Sequence, residues 1–230
     1  MAKEENNKGT SMLATLKQEL SKEKQEEVVA TEINPTFSQP KIQKPEPIDK
    51  EIELDPKRYI VSKTDPKGII EYGNEYFVEI SGYQEHELIG QPHNIIRHPD
   101  MPKIIFRLMW ERISEGENIV AMVKNLSKSG RYYWVITDFD TKINKFTGEI
   151  ESYYAYRKAA PKHAIKKIEP LYQKLLKIEK ESGIEGARKY LVGYLETQNK
   201  TYDQFIEEIT EVKGLAKFWF RAMKKLFGHK

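Results

Sequence analysis

Thirteen consecutive residues, GQPHNIIRHPDMP at 90–102, hold two histidines, an arginine, an aspartate, an asparagine and three prolines. Side chains of these types can ligate a metal, move protons or line a binding pocket. Spacing argues against the metal. His93 and His98 are five apart, outside the i,i+4 placement that puts two ligands on one helix face, and Pro99 disrupts a helix there. A closed zinc site takes four ligands and a catalytic one about three. His86 and Asp100 complete such a set only in number, because no zinc pattern is matched. Proton transfer needs a substrate-activating partner. His98 and Asp100 can pair, yet no Ser or Cys stands in a nucleophile motif and no glycine-rich phosphate loop is present. The expectation is therefore that the chain is not an enzyme.

Taken singly, each residue has a structural use: Asn94 or Asp100 as a helix N-cap, Arg97 paired with Asp100, the prolines fixing loops. Taken together, polar side chains between prolines and near an aromatic-rich segment read as a pocket wall. A guanidinium at Arg97 suits an anionic ligand such as one carrying phosphates. Aromatic neighbours suit a planar ring, and a dinucleotide with a flat ring system has both properties.

These groups need elements to position them, and residues 57–160 read as the folded domain. RYIVSKT and IIEYGN are short β-rich runs around the turn DPKG, which makes a hairpin. Short helical pieces follow, NEYFVEISG ending at Gly82 and EHELIG ending at Gly90. PKIIFRLMWERISEG then places Ile105, Leu108, Met109 and Ile113 on one helical face, with Pro102 near its start and Gly116 past its end. NIVAMVKN, RYYWVITDFDTKI and IESYYAYRK are three further β-rich runs, separated by SKSG and NKFTG. Residues 131–156 contain eight aromatics, more than an ordinary sheet requires. The layout is α+β: a five-stranded antiparallel sheet with short helices on one face.

Outside this core, residues 1–56 read as a flexible extension and linker, with a short helix near 11–30 from Leu13, Leu16 and Leu20. Residues 161–211 read as a helical connector in which Pro170 starts or kinks a helix. Residues 212–230 form a basic amphipathic segment with six Lys/Arg and no acid. Such a segment suits the surface of an anionic membrane or a partner's groove. The absence of cysteine removes disulfides, cysteine-based zinc sites and a cysteine–flavin adduct. A net charge of +3 is too balanced to imply nucleic acid. No apolar run approaches the roughly 20 residues of a membrane helix, and no secretory signal begins the chain, so a cytoplasmic place is expected.

SGYQEHELIGQPHNIIRHPDMPKIIFRLMW, with KNLSKSGRYYWV and EPLYQKLL downstream, resembles the PAS sensory domain of the aerotaxis-receptor family of bacterial energy sensors. The resemblance covers about half the chain, and its RHPDMP core with SGY before it and YYWV after it is specific. It implies a PAS fold, non-covalent FAD and a redox or oxygen sensor for aerotaxis or energy taxis. The family's N-x-x-F asparagine falls on Asn74, and its FAD-linked Arg, His and Asp fall on Arg97, His98 and Asp100. Trp110, Asn125, Tyr133 and Trp134 match further family positions and are expected to line the pocket. The chain departs from the pattern at Ile119, where the family carries a tryptophan tied to the flavin. Membrane and signalling segments of the family are missing here. The resemblance then implies a soluble form that relays its state to a membrane-bound chemoreceptor, with a PAS homodimer as a further partner. Residues 212–230 would touch the inner membrane face. Two alternatives stand beside FAD: a haem gas sensor with His93 or His98 as axial ligand, or a ligand-free PAS interaction adaptor.

Overall fold

A computed structural model describes residues 42–211. The helix expected near 11–30 and the basic amphipathic segment at 212–230 lie outside the described residues. Strands β1 (Ile60–Thr64) and β2 (Ile70–Gly73) form the expected hairpin. At its turn Asp65 Oδ1 accepts from the amides of Lys67 and Ile69, and Gly68 takes φ +79°. A left-handed residue without Cβ is what that turn needs. It also lets Trp110 approach, since a Cβ on Gly68 would meet the indole at 3.1 Å.

Helix α1 (Glu75–Ser81) starts at Asn74 and stops at Gly82, which sits at φ 72°. Helix α2 (Glu85–Leu88) opens on a capping box between Gln84 and Glu87. One 3₁₀ turn, His93–Ile96, carries the polar motif. Helix α3 (Lys103–Ser114) buries Ile104, Ile105, Met109 and Ile113. Strands β3 (Val120–Leu126), β4 (Tyr132–Ile143) and β5 (Ile150–Ala159) complete an antiparallel sheet in the order β2-β1-β5-β4-β3.

Alternation along the strands sorts side chains between the two faces. Ser62 pairs with Ala155, Thr137 with Arg157 and Asn125 with Tyr133, so these six share the face that α1 to α3 cover. Lys124 pairs with Trp134, which sends both to the opposite face.

Helix α4 (Lys162–Thr197) and helix α5 (Tyr202–Thr210) follow the sheet. Pro170 neither starts nor breaks α4. The break lies at Gly183, whose φ 71° and ψ −177° only glycine adopts readily. The stretches on either side, 162–182 and 184–197, are helical. Ile168, Tyr172, Leu191, Phe205 and Ile206 are buried in the same core as Ile60, Ile104 and Val135. The helices after the sheet are thus part of its core. Tyr172 stacks on Trp134 with ring centroids 6.1 Å apart, and its hydroxyl donates to Met122 O at 2.8 Å. That second bond satisfies a carbonyl on the edge strand β3.

Candidate functional site

Between the inner face of the sheet and α3 lies a cavity of about 420 Å³. Sites for small ligands and cofactors usually measure about 300–1,000 Å³. Its walls are mostly apolar: Phe106, Met109, Trp110 and Ile113 from α3, with Val123, Phe139 and Tyr153 from the strands. Trp110 meets Tyr153 edge-on at 5.4 Å and closes one end over Gly68. Lys67, Asn94 and Arg97 stand at the rim, and Ser62, His93, Asn125, Thr137 and Arg157 form a polar patch.

Each polar group has a definable state. Arg97 Nη2 donates to Met101 O at 3.0 Å, and its guanidinium lies 4.2 Å from the Phe106 ring centroid. Its backbone also bridges to Asn125 on β3. Arg97 does not pair with Asp100, contrary to expectation, because Asp100 Oδ2 faces Lys124 Nζ at 3.2 Å. Asn125 Nδ2 and Thr137 Oγ1 are buried and make no hydrogen bond. Burial raises the Tyr133 phenol, and Arg157 and the Asn125 amide partly offset that rise. Two buried polar atoms without partners, both on cavity-lining residues, are costly unless something in the cavity meets them.

His93 Nε2 lies 3.1 Å from Ser62 Oγ and 2.9 Å from Arg157 Nη2. A guanidinium only donates, so His93 Nε2 must accept and the imidazole is neutral. Burial, helped by the Arg157 charge, pulls its pKa well below the ordinary histidine value. The lone pair that an axial haem bond would need is engaged with a cation.

The eight residues singled out by resemblance do not form one cluster. Arg97, Trp110 and Asn125 line the cavity. Tyr133 shares the inner face, fully buried, without reaching the cavity surface. Trp134 is on the far face against Tyr172. Asn74 is spent within the fold: Oδ1 accepts from Phe77 N and Val61 N, both at 3.0 Å, and Nδ2 donates to Tyr59 O at 2.8 Å. His98 and Asp100 sit beside Lys124. His98 Nδ1 accepts from Asp100 N at 3.1 Å, and the Lys124 ammonium reaches Glu169 of α4 at 3.8 Å. Burial, and secondarily Lys124, brings the His98 pKa down to about 4. Ile119 is buried in the core and does not touch the cavity, although it precedes β3 in phase with Val123 and Asn125.

Residue-by-residue reading missed Ser62, Thr137 and Arg157. Strand parity held the signal: Tyr153, Ala155 and Arg157 alternate onto one face, and Ser62 and Thr137 pair with members of that set.

Residues 70–152 match the family model of the PAS fold. The chain is 41% identical over 116 residues to the aerotaxis receptor of Escherichia coli, covering 50% of this chain and 22% of the receptor. It is 26% identical over 98 residues to a biofilm dispersion protein of Pseudomonas aeruginosa, covering 38% of this chain and 24% of that protein. The chain thus spans less than a quarter of the length of these relatives. Among solved structures, the light state of the LOV domain of the photoreceptor Aureochrome1 superposes with a TM-score of 0.42 at 18% identity, over 53% of this chain and 91% of that one.

Proposed function

We propose that this chain, which carries a PAS domain similar in sequence to the aerotaxis receptor's, is a redox- or oxygen-responsive sensor for energy taxis. It binds FAD non-covalently and passes its state to a membrane-bound chemoreceptor. The observation that carries this reading is the cavity: apolar aromatic walls, cationic side chains at the rim and unpartnered polar atoms on its inner face. Those residues fit a flat ring with an acceptor-rich edge and a phosphate-bearing tail.

Phe106, Met109 and Trp110 would hold the ring by burial and ring contacts. Asn125 and Thr137 would hydrogen-bond its edge, while Arg97 and Lys67 offset phosphate charge at the mouth. The flavin, when bound, supplies reversible electron acceptance; the protein supplies binding, orientation and electrostatics.

A sensor also needs a path outward. Asn125 is bridged to Arg97, Arg97 lies over Phe106 of α3, and α3 is gripped by the later helices. Glu179 of α4 accepts from the Lys103 and Ile104 amides at 3.0 and 2.8 Å. Arg188 meets Glu111 through two contacts of 2.8 and 3.2 Å, and Arg112 reaches Asp203 of α5 at 3.1 Å. A change in what Asn125 and Arg97 must satisfy therefore biases how α3 and α4 pack. Reversing a 99:1 population takes about 5.5 kcal/mol, so a partial shift is expected.

Hydrogen exchange of the FAD-loaded chain, oxidised and then anaerobically reduced, tests this. Exchange should differ between the two states at 103–114 and 162–197. Identical exchange, or no stable FAD complex, overturns the reading.

A further inference from the structure

Arg157 is a buried cation whose observed partners are all neutral. It is 3% exposed and lines the cavity. Nη1 donates to Ser62 Oγ at 2.9 Å and Ala155 O at 3.4 Å, and Nη2 donates to His93 Nε2 at 2.9 Å. Asp138 and Asp140 belong to the opposite face of β4, since Asp138 pairs with Tyr156 and Asp140 with Tyr154. Among the described residues, the one ionisable acid that acts on Arg157 is Tyr133, whose own phenol is pushed up by burial and stays neutral. Burial lowers the guanidinium's pKa to about 10, which leaves it charged at neutral pH.

Buried charges in folded proteins are ordinarily paired, because removing an ion from water is costly unless a counter-charge meets it. Arg157 has hydrogen bonds but no counter-ion among the described residues. Its setting reinforces the imbalance. His93 is held as a neutral acceptor, so it adds no negative charge. Thr137, directly across the β4–β5 pair, presents a buried hydroxyl without a partner. Asn125 adds a buried amide nitrogen that can only donate. The sheet side of the cavity is thus rich in donors and positive, while the α3 side is aromatic and aliphatic.

We propose that Arg157, positioned by Ser62 and His93, is an anion-recognition centre on the sheet wall of the cavity, selecting planar aromatic ligands that present a negative or strongly electron-rich edge. For FAD this rests on the flavin reading above, with the electron-rich edge of the ring turned to Arg157. The centre itself does not depend on that reading, because any flat aromatic anion of suitable size meets the same wall.

The test uses the full chain and two probes of matched shape, benzoate and its neutral relative benzamide, with FAD as a separate arm. Binding is read by titration and by the shift in melting temperature. Wild type should bind benzoate at least tenfold more tightly than benzamide. Arg157→Gln should abolish that preference and weaken FAD at least tenfold. Arg157→Lys should keep much of the preference. The wild-type comparison needs no variant, so a misfolded Arg157→Gln cannot shelter the proposal. Equal binding of the two probes, binding of neither, or a preference that survives in folded Arg157→Gln overturns it. Should wild type take benzoate selectively and refuse FAD, the flavin reading falls while the Arg157 centre stands.

Discussion

The motif RHPD divides between two environments. Arg97 turns to the cavity, whereas His98 and Asp100 turn to Lys124 on the other side of strand β3. Arg97 ends the 3₁₀ turn in extended backbone bridged to Asn125, and the chain then turns through Pro99 and Asp100 towards Lys124. His98 is 3% exposed and neutral in the fold. Its pKa of about 4 lies below the ordinary value near 6.5, so on acidification the unfolded chain takes up a proton that the folded chain refuses. The stability that depends on neutral His98 is therefore complete above about pH 6.5 and is lost as pH falls towards 4. Urea denaturation across that range should show the decline. His98→Asn, whose Oδ1 can still accept from the Asp100 amide, should flatten part of it. An unchanged slope would mean that His98 does not titrate on unfolding. His93, also depressed by burial, accounts for a remaining slope.

At the scale of elements, α3 is the wall that a ligand would meet and the helix that the rest of the chain holds. It begins at Pro102, whose side chain cannot cap, so the expected N-cap from Asp100 is replaced by a carboxylate from 75 and 76 residues away. Glu179 satisfies two amides that the helix itself leaves open, and its charge suits the positive end of the helix. Glu179→Ala should cost about 1 kcal/mol of stability and speed hydrogen exchange at Lys103 and Ile104 ahead of the rest of α3. Exchange that rises evenly along the helix would argue against a capping role.

Periodicity and turn chemistry made these elements legible. The hairpin, α3 and the three later strands follow from alternation, from Gly68 and Gly82, and from the apolar stripe of α3. Long-range contacts were not legible. Nothing local says that Glu179 caps α3, or that a glycine rather than Pro170 interrupts α4. Arg157 was hidden for a related reason. Near the end of a strand, arginine usually reaches solvent, and only the register of β5 on β1 and β4 reveals that it points inwards.

The described residues share one main core, with the sheet at its centre and helices on both sides. No helix among the described residues is long and apolar enough to cross a membrane. The position expected to carry an aromatic, Ile119, fills core space outside the cavity surface. A ring there is thus not required for the cavity to hold its walls, which rest on α3 and on Phe139 and Tyr153. The most direct measurement is the visible spectrum of the full chain after incubation with FAD and removal of unbound ligand. It should be made side by side with Ala155→Phe, which adds a ring to a buried cavity-lining position. A two-band flavin spectrum in the wild type, absent from a folded Ala155→Phe, is the expected result. A colourless wild type, or equal flavin in both proteins, would contradict the assignment of this cavity to a flavin.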